Sequence, residues 1–194
     1  MNKVLHIDSS IQGAVSATRE LTREIVARLK ATRPDAQITY RDLVSQELSH
    51  FSQAAFKRSD ELEAARNSAV LEEFLAADVL VIGAPLYNFS IPTQLKAWVD
   101  RIVIAGRTFR YTERGPEGLA GGKQVIVAVA RGGVYEAGSP AEFGESYLKF
   151  VLGFLGIRDV TFVRAEGLAF SPQHRESALS AAHEAIPVPA ALAA

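Results

Sequence analysis

Cysteine is absent from the 194 residues. Its absence excludes disulfide staples, thiol nucleophiles and thiolate metal sites, so any redox chemistry has to reside on a bound cofactor. An excess of charge of one sign is missing too: 21 Lys and Arg stand against 22 Asp and Glu, a formal net charge of -1 with the basic residues scattered. Such a chain has no electrostatic stripe to follow a phosphate backbone, which argues against nucleic acid as a partner. No window approaches eighteen uncharged apolar residues, and Met1 to Ser10 carries neither an apolar h-region nor a small-residue cleavage site. The expectation is a soluble, cytoplasmic protein with no membrane partner. The four histidines, His6, His50, His174 and His183, lack metal-ligand spacing, and there is no Gly-x-Ser-x-Gly elbow, glycine-rich dinucleotide fingerprint or lysine-bearing phosphate loop. The sequence therefore argues against a metal site, an α/β-hydrolase, a Rossmann dehydrogenase and an NTPase.

The hydrophobic fraction of 48% and charged fraction of 22% suit one globular domain over residues 1–194, with enough apolar mass to cover both faces of a sheet. Apolar runs predict strands at Lys3 to Ile7, Gln37 to Tyr40, Val79 to Ala84, Val125 to Ala130 and Val160 to Val163. Helical spacing predicts helices from Ala17 to about Lys30, Ser59 to about Ala77, Pro92 to Gly106, Tyr147 to Leu155 and Gln173 to Ala185. In the second, Leu62, Ala65, Val70, Leu71 and Leu75 form the expected apolar face. In the third, Trp98 and Ile102 serve either the core or the floor of a subunit interface. His50 to Arg58 has no assignable pattern, Thr108 to Leu119 reads as a polar excursion or hairpin, and the Ala-rich tail from Pro187 is expected to fray. Strands alternating with helices imply a parallel sheet with right-handed crossovers, and five strands suit the order 2-1-3-4-5.

In such sheets, ligands bind beyond the carboxyl ends of the strands at the switch point, here the loops after strands one, three and four. The loop from Asp8 to Thr18 leads into a helix N-terminus with hydroxyls at Ser10, Ser16 and Thr18, which makes an anion cradle without a lysine. Ser16 is equally explained as an ordinary N-cap. Ala84-Pro85-Leu86-Tyr87-Asn88-Phe89-Ser90-Ile91-Pro92 sets a row of apolar and aromatic side chains after a buried strand, as either the wall of a flat ring or a turn whose aromatics enter the core. Ala130-Arg131-Gly132-Gly133 ends a strand on two glycines, which lets backbone approach a ligand or simply makes a turn.

Together these loops resemble the FMN-dependent NADH-azoreductases, also described as NAD(P)H:quinone oxidoreductases. The resemblance spans nearly the whole chain and is carried by Ala84-Pro85-Leu86-Tyr87-Asn88-Phe89, Thr93-Gln94-Leu95-Lys96, Thr108-Phe109-Arg110-Tyr111-Thr112-Glu113 with Gly115-Pro116-Glu117-Gly118-Leu119, and Arg131-Gly132-Gly133. It implies a flavodoxin-like three-layer α/β sandwich holding FMN non-covalently. Ser10, Ser16, Ala17 and Thr18 would hold its phosphate, and Leu86, Tyr87, Asn88, Phe89, Ala130, Arg131, Gly132 and Gly133 would surround the isoalloxazine. It further implies ping-pong hydride transfer from NADH or NADPH to quinones and azo compounds, with no catalytic side chain. A homodimer is also implied, in which Phe109 and Tyr111, taken as exposed, roof a flavin site and bind substrate. Phe150 and Phe154 are weaker candidates for that roof, since they share the core-facing side of their helix with Tyr147 and Val151. The sequence departs from the family pattern at Thr18, Leu86, Ala130 and Tyr135, and Ala130 can contribute only backbone. Two other activities compete: a flavodoxin-type electron carrier and a non-catalytic flavin or quinone sensor.

Overall fold

A computed structural model describes residues 2–57, 60–136 and 139–187. Most of the Ala-rich tail, residues 188–194, lies outside them. Five strands, β1 (Lys3–Asp8), β2 (Gln37–Asp42), β3 (Val79–Pro85), β6 (Gln124–Ala130) and β7 (Asp159–Ala165), form one parallel sheet in the order β2-β1-β3-β6-β7. Counting these strands alone gives 2-1-3-4-5, the expected order. The hairpin β4 (Phe109–Thr112) and β5 (Gly115–Gly118) stands apart from it.

Strand periodicity divides the core. Leu5 and Ile7, Leu80 and Ile82, and Val125, Val127 and Val129 face one side, where they pack with residues of α3 (Glu61–Ala76), α4 (Thr93–Ile102) and α5 (Gly144–Phe154). Val4, Val79, Val81, Ile126 and Ala128 face the other, against α1 (Ala17–Thr32) and α6 (Pro172–Glu184). All seven residues of β3 are buried, as a central parallel strand requires. None of the described helices is long and apolar enough to cross a membrane.

Helix boundaries follow local chemistry. Ser16, Asp60 and Ser171 accept hydrogen bonds from the N–H groups of Arg19, Glu63 and His174 and so cap α1, α3 and α6. The helix expected over Pro92 to Gly106 is shorter: Pro92 is the N-cap, and α4 stops at Ile102. Thr108 is the reason. Its Oγ1 donates to Ile102 O (2.6 Å) and accepts from Ile104 N (3.0 Å), turning the chain out of the helix. Trp98 and Ile102 are fully buried within this chain, which decides for the core over an interface floor.

The apolar face expected on α3 holds only in its second half. Val70, Leu71 and Phe74 are buried and Leu75 partly so, whereas Leu62 and Ala65 are exposed. The first half instead serves a polar cluster, in which buried Arg101 donates to Glu63, to Asn67 Oδ1 (2.6 Å) and to Ser49 Oγ (3.0 Å). The unassigned segment before it contains a short helix, α2 (Gln53–Lys57).

Candidate functional site at the carboxyl edge of the sheet

Pairing brings Asp8 level with Gly83, Pro85 with Ala130, and Ala130 with Ala165. The loops after β1, β3 and β6 therefore leave the sheet side by side, as expected. The loop after β7 joins them, which the sequence reading missed.

The first loop turns through a single 3-10 turn, Gly13–Val15, into α1. Ser16, Ala17 and Thr18 are buried there, with the Ser16 and Thr18 hydroxyls 3.1 Å apart. Ser16 Oγ accepts from Arg19 N (3.3 Å), so its N-cap role is real. Among the described residues, the N–H groups of Ala17 and Thr18 have no acceptor. A buried unpaired donor costs about 1–3 kcal/mol, and an anion placed at this positive helix end would remove that cost.

Beneath the loop lies a charged cluster that composition had not revealed. Arg19 donates to Ser10 O (3.0 and 3.2 Å) and to both oxygens of Asp42 (2.7 and 3.0 Å), fixing the backbone at Ser10. Buried Asp8 accepts from Thr22 Oγ1 (2.9 Å) and from the Tyr40 hydroxyl (3.0 Å). Burial alone would raise the Asp8 pKa, but neighbouring His6 and these hydroxyls outweigh it and hold the carboxyl below its ordinary value. Burial, then the Asp8 charge, pushes the Tyr40 hydroxyl up to about 12. A Cβ on Gly83 would come within 2.9 Å of Asp8 Oδ1, so the close approach of β3 to this carboxylate needs glycine.

The second loop is a tight two-residue turn. Tyr87 and Ser90 exchange both backbone hydrogen bonds (2.9 and 3.1 Å), while Asn88 and Phe89 take φ of 47° and 71°. Asparagine tolerates this region, but phenylalanine does so at a cost, and strain of this kind concentrates at ligand sites. Phe89 is 54% exposed, so its ring lies outside the core. The Tyr87 hydroxyl meets Ser10 Oγ at 3.0 Å and joins the first two loops.

In the third loop the Arg131 side chain is buried among carboxylates, and its backbone N–H donates to Ala165 O (3.0 Å), so Arg131 anchors the loop from within the chain. Gly132 and Gly133 have φ values open to any residue, and an added Cβ would find only ordinary contacts, 3.4 Å to Ala169 and 3.5 Å to Tyr135. Packing inside the chain therefore does not require them. Their N–H groups have no acceptor among the described residues. Ala130 offers backbone alone, as expected, and its carbonyl accepts from Leu86 N (2.9 Å). Tyr135 lies under Arg131, with Cζ 5.8 Å from the ring centre.

Phe109 and Tyr111 are not brought to these loops. The hairpin lies at the opposite end of the molecule, where Ala120 N donates to Leu155 O just before β6 begins. There Gly118 presses on the end of α5 so closely that a Cβ would fall 2.1 Å from Gly156 N. Phe109 is 7% exposed and packs on Phe154 (4.7 Å between ring centres), so the expectation that it is exposed was wrong. Tyr111 is exposed at 76%. Phe154 is partly buried against the core as expected, but Phe150, on the outer side of α5, is 75% exposed. A cavity of about 450 Å³ opens beside the hairpin, lined by Phe51, Phe56, Asn67, Leu71, Phe109 and Tyr111 among others. The two phenylalanines in the unassigned segment were its one visible signal.

The carboxyl-edge residues fit a flavin mononucleotide: unpaired buried N–H groups and hydroxyls for a phosphate, a strained aromatic turn for a ring, and free glycine N–H groups for its polar edge. Comparison with known proteins points the same way. The family described as flavodoxin-like fold matches residues 2–187. The FMN-dependent NADH:quinone oxidoreductase of Xanthomonas oryzae pv. oryzae (strain MAFF 311018) is 56% identical over 180 residues, covering 93% of this chain and 92% of the relative. Its counterpart in Stenotrophomonas maltophilia (strain K279a) is 51% identical over 185 residues, covering 95% and 94%. Among solved structures, the azoreductase from Bacillus anthracis str. Sterne superposes with a TM-score of 0.86 at 32% identity, over 96% of this chain and 97% of that one. An FMN-dependent NADH-azoreductase from Bacillus anthracis str. Ames Ancestor, in complex with FMN, gives 0.84 at 30% identity, over 96% and 98%.

Proposed function

The chain belongs to the flavodoxin-like family of FMN-dependent NADH:quinone oxidoreductases and azoreductases, and from that premise we propose that its carboxyl-edge loops hold FMN and serve two-electron reduction of quinones and azo compounds by NADH or NADPH. The observation that carries this reading is the pair of N–H groups at buried Ala17 and Thr18 that have no acceptor among the described residues, on the same edge as the strained Tyr87–Ser90 turn.

Ser10, Ser16 and Thr18 add hydroxyl donors to the phosphate cradle made by Ala17 and Thr18. Leu86, Tyr87, Asn88 and Phe89 wall the ring. Bound FMN supplies the hydride chemistry, and the protein orients its ring and excludes water. The N–H groups of Gly132 and Gly133, without an acceptor among the described residues, would donate to the pyrimidine edge of the bound ring, where negative charge grows on reduction. No side chain is assigned as acid or base, since solvent protonates a quinol. The order of events is ping-pong: the oxidised nicotinamide leaves, and the acceptor stacks in its place.

The enzyme acts as a cytoplasmic homodimer. Exposed Tyr111 and Phe56 border the amino-edge cavity, on the far side of the chain from its own flavin loops, and a twofold partner can bring that wall over a flavin. Tyr111 then contacts the acceptor, with Phe109 set edge-on behind it (5.3 Å).

Anaerobic titration tests this reading directly. NADH, and separately NADPH, should bleach the bound flavin, and a quinone added afterwards should restore its colour. A protein that takes up no FMN, or whose flavin reduced nicotinamide leaves oxidised, would refute it.

A further inference from the structure

Arg131 is buried at the base of the third loop, and its guanidinium gathers carboxylates from the start of α5 and from the segments before it and after β7. Nη2 donates to Glu145 Oε2 (2.9 Å) and lies 3.3 Å from Glu142 Oε1, while Nη1 donates to Glu166 Oε1 (2.9 Å). Nε is buried without an acceptor among the described residues. Glu145, in the first turn of α5, also binds Arg164 and lies 3.2 Å from Lys149. Burial pushes the Glu145 carboxyl up, but the hydrogen bonds and charge of Arg164, with Lys149, outweigh it and keep it ionised. Three carboxylates thus face Arg131, Arg164 and Lys149, so the cluster is balanced in charge.

The backbone above the cluster is one-sided. The carbonyls of Arg131, Gly132 and Gly133 accept from Leu168 N (3.1 Å), Ala169 N (3.1 Å) and Gly167 N (2.9 Å), respectively. Among the described residues, the N–H groups of Gly132 and Gly133 are left without an acceptor. Glu142 receives the N–H of Glu145 (2.8 Å), and Phe143 N donates to Phe89 O (3.0 Å), so the start of α5 is tied to the second loop as well. A buried ion pair is weak evidence of added stability, because desolvation consumes much of its attraction. What this one does is fix a turn relative to its neighbours.

We propose that Arg131 and Glu145 are a positioning pair that sets the reduction potential of the bound flavin, by holding the Gly132–Gly133 turn so that its two free N–H groups stay directed at the ring. The proposal rests on the FMN reading. Donors already in place stabilise charge that develops on reduction without reorganising, so they favour the reduced form over the oxidised one. Affinity for oxidised FMN comes chiefly from the phosphate cradle on β1 and α1, which the pair does not touch. Loosening the turn therefore weakens binding of reduced flavin selectively.

Arg131→Lys and Glu145→Asp test this, because both preserve charge while losing, respectively, the planar fork and the reach across two arginines. Oxidised FMN should bind the variant apoproteins within about threefold of wild type, while reduced FMN binds about tenfold more weakly. For a two-electron couple that tenfold is about 30 mV toward more negative potential, read anaerobically against a reference dye. kcat should fall with the KM for NADH little changed. Equal weakening of both redox states, an unmoved potential or a positive shift would overturn the proposal. If Arg131→Lys does not fold, Glu145→Asp carries the test. Wild-type protein that binds no FMN would instead refute the flavin site itself.

Discussion

The Ser10 and Tyr87 hydroxyls lie 3.0 Å apart across 77 positions of sequence, joining the loop after β1 to the aromatic turn. Removing one partner of a neutral hydrogen bond costs about 1 kcal/mol, or roughly a fivefold change in affinity. Tyr87→Phe should therefore weaken FMN by up to about fivefold, because the two loops that hold it are no longer joined, and it should also lower the apoprotein's melting temperature, because the bond is made without the cofactor. Fluorescence titration of the apoprotein measures the first and thermal denaturation the second. Unchanged FMN affinity would mean that the contact is incidental to the cofactor.

Ser16 has two roles, and one substitution separates into two readings. Its capping bond to Arg19 N predicts that Ser16→Ala lowers apoprotein stability by about 1 kcal/mol. The proposed phosphate cradle predicts a further tenfold to hundredfold loss of FMN affinity, since a hydrogen bond to a charged group is worth about 1.5–3 kcal/mol. Thr18→Val removes a cradle hydroxyl but leaves the Ser16–Arg19 capping bond in place, taking from Ser16 only its contact with the Thr18 hydroxyl, so it should weaken FMN and lower the apoprotein's melting temperature less than Ser16→Ala does. If Ser16→Ala lost stability alone and Thr18→Val lost no FMN affinity, capping would be the whole account.

How much of this was legible in the sequence depends on the range of the interactions. The sheet order and the three loops could be read because strand and helix periodicity are local and the carboxyl-edge rule maps loops onto the ligand side. Phe109 was misjudged because a polar flank suggested exposure, whereas its burial comes from Phe154, 45 positions away. The first half of α3 was misread because its inner side meets a buried arginine, which sequence alone does not place. The cluster around Arg131 was invisible for the same reason: Glu142, Glu145 and Glu166 are unremarkable until β7 and α5 bring them together.

Alkaline pH should destabilise the fold through two phenols. Tyr40 and Tyr147 are both pushed up to about 12, first by burial and then by the charge of Asp8 and of Asp100, respectively. A phenol whose pKa is raised on folding contributes stability that is complete below its ordinary value of 10.0 and disappears as pH rises toward 12. Urea denaturation across that window should show stability falling, and Tyr40→Phe and Tyr147→Phe should each flatten the fall. Asp8 works at the other end: its lowered pKa gives stability that is present above 3.8 and lost as pH falls through the folded value. Asp8→Asn should remove that acid dependence and weaken the fold at neutral pH. A variant that kept the wild-type profile would show that its group does not titrate in this way.

The proposed composite site has the sharpest consequence. Tyr111 is 76% exposed at the amino-edge cavity, where its own chain meets the ring edge-on with Phe109 (5.3 Å) but buries little of it. Tyr111→Ala should leave monomer stability within about 0.5 kcal/mol, as expected for an exposed position, and leave FMN binding through Ser16 and Thr18 intact. The KM for a quinone should nevertheless rise about tenfold, the change produced by losing about 1.4 kcal/mol of aromatic contact. Phe109→Ala should behave differently: its ring is buried against Phe154, and truncation should cost about 3 kcal/mol of stability. Mixing Tyr111→Ala subunits with subunits carrying Ser16→Ala, under conditions where protomers exchange, then separates shared sites from independent ones. With shared sites, each mixed dimer has one flavin pocket bearing both defects and one bearing neither, so wild-type acceptor kinetics reappear in part. With sites built from one chain, no wild-type pocket forms, and the mixture shows only the sum of its two parents. Sedimentation of an active monomer at assay concentration would exclude the shared site altogether.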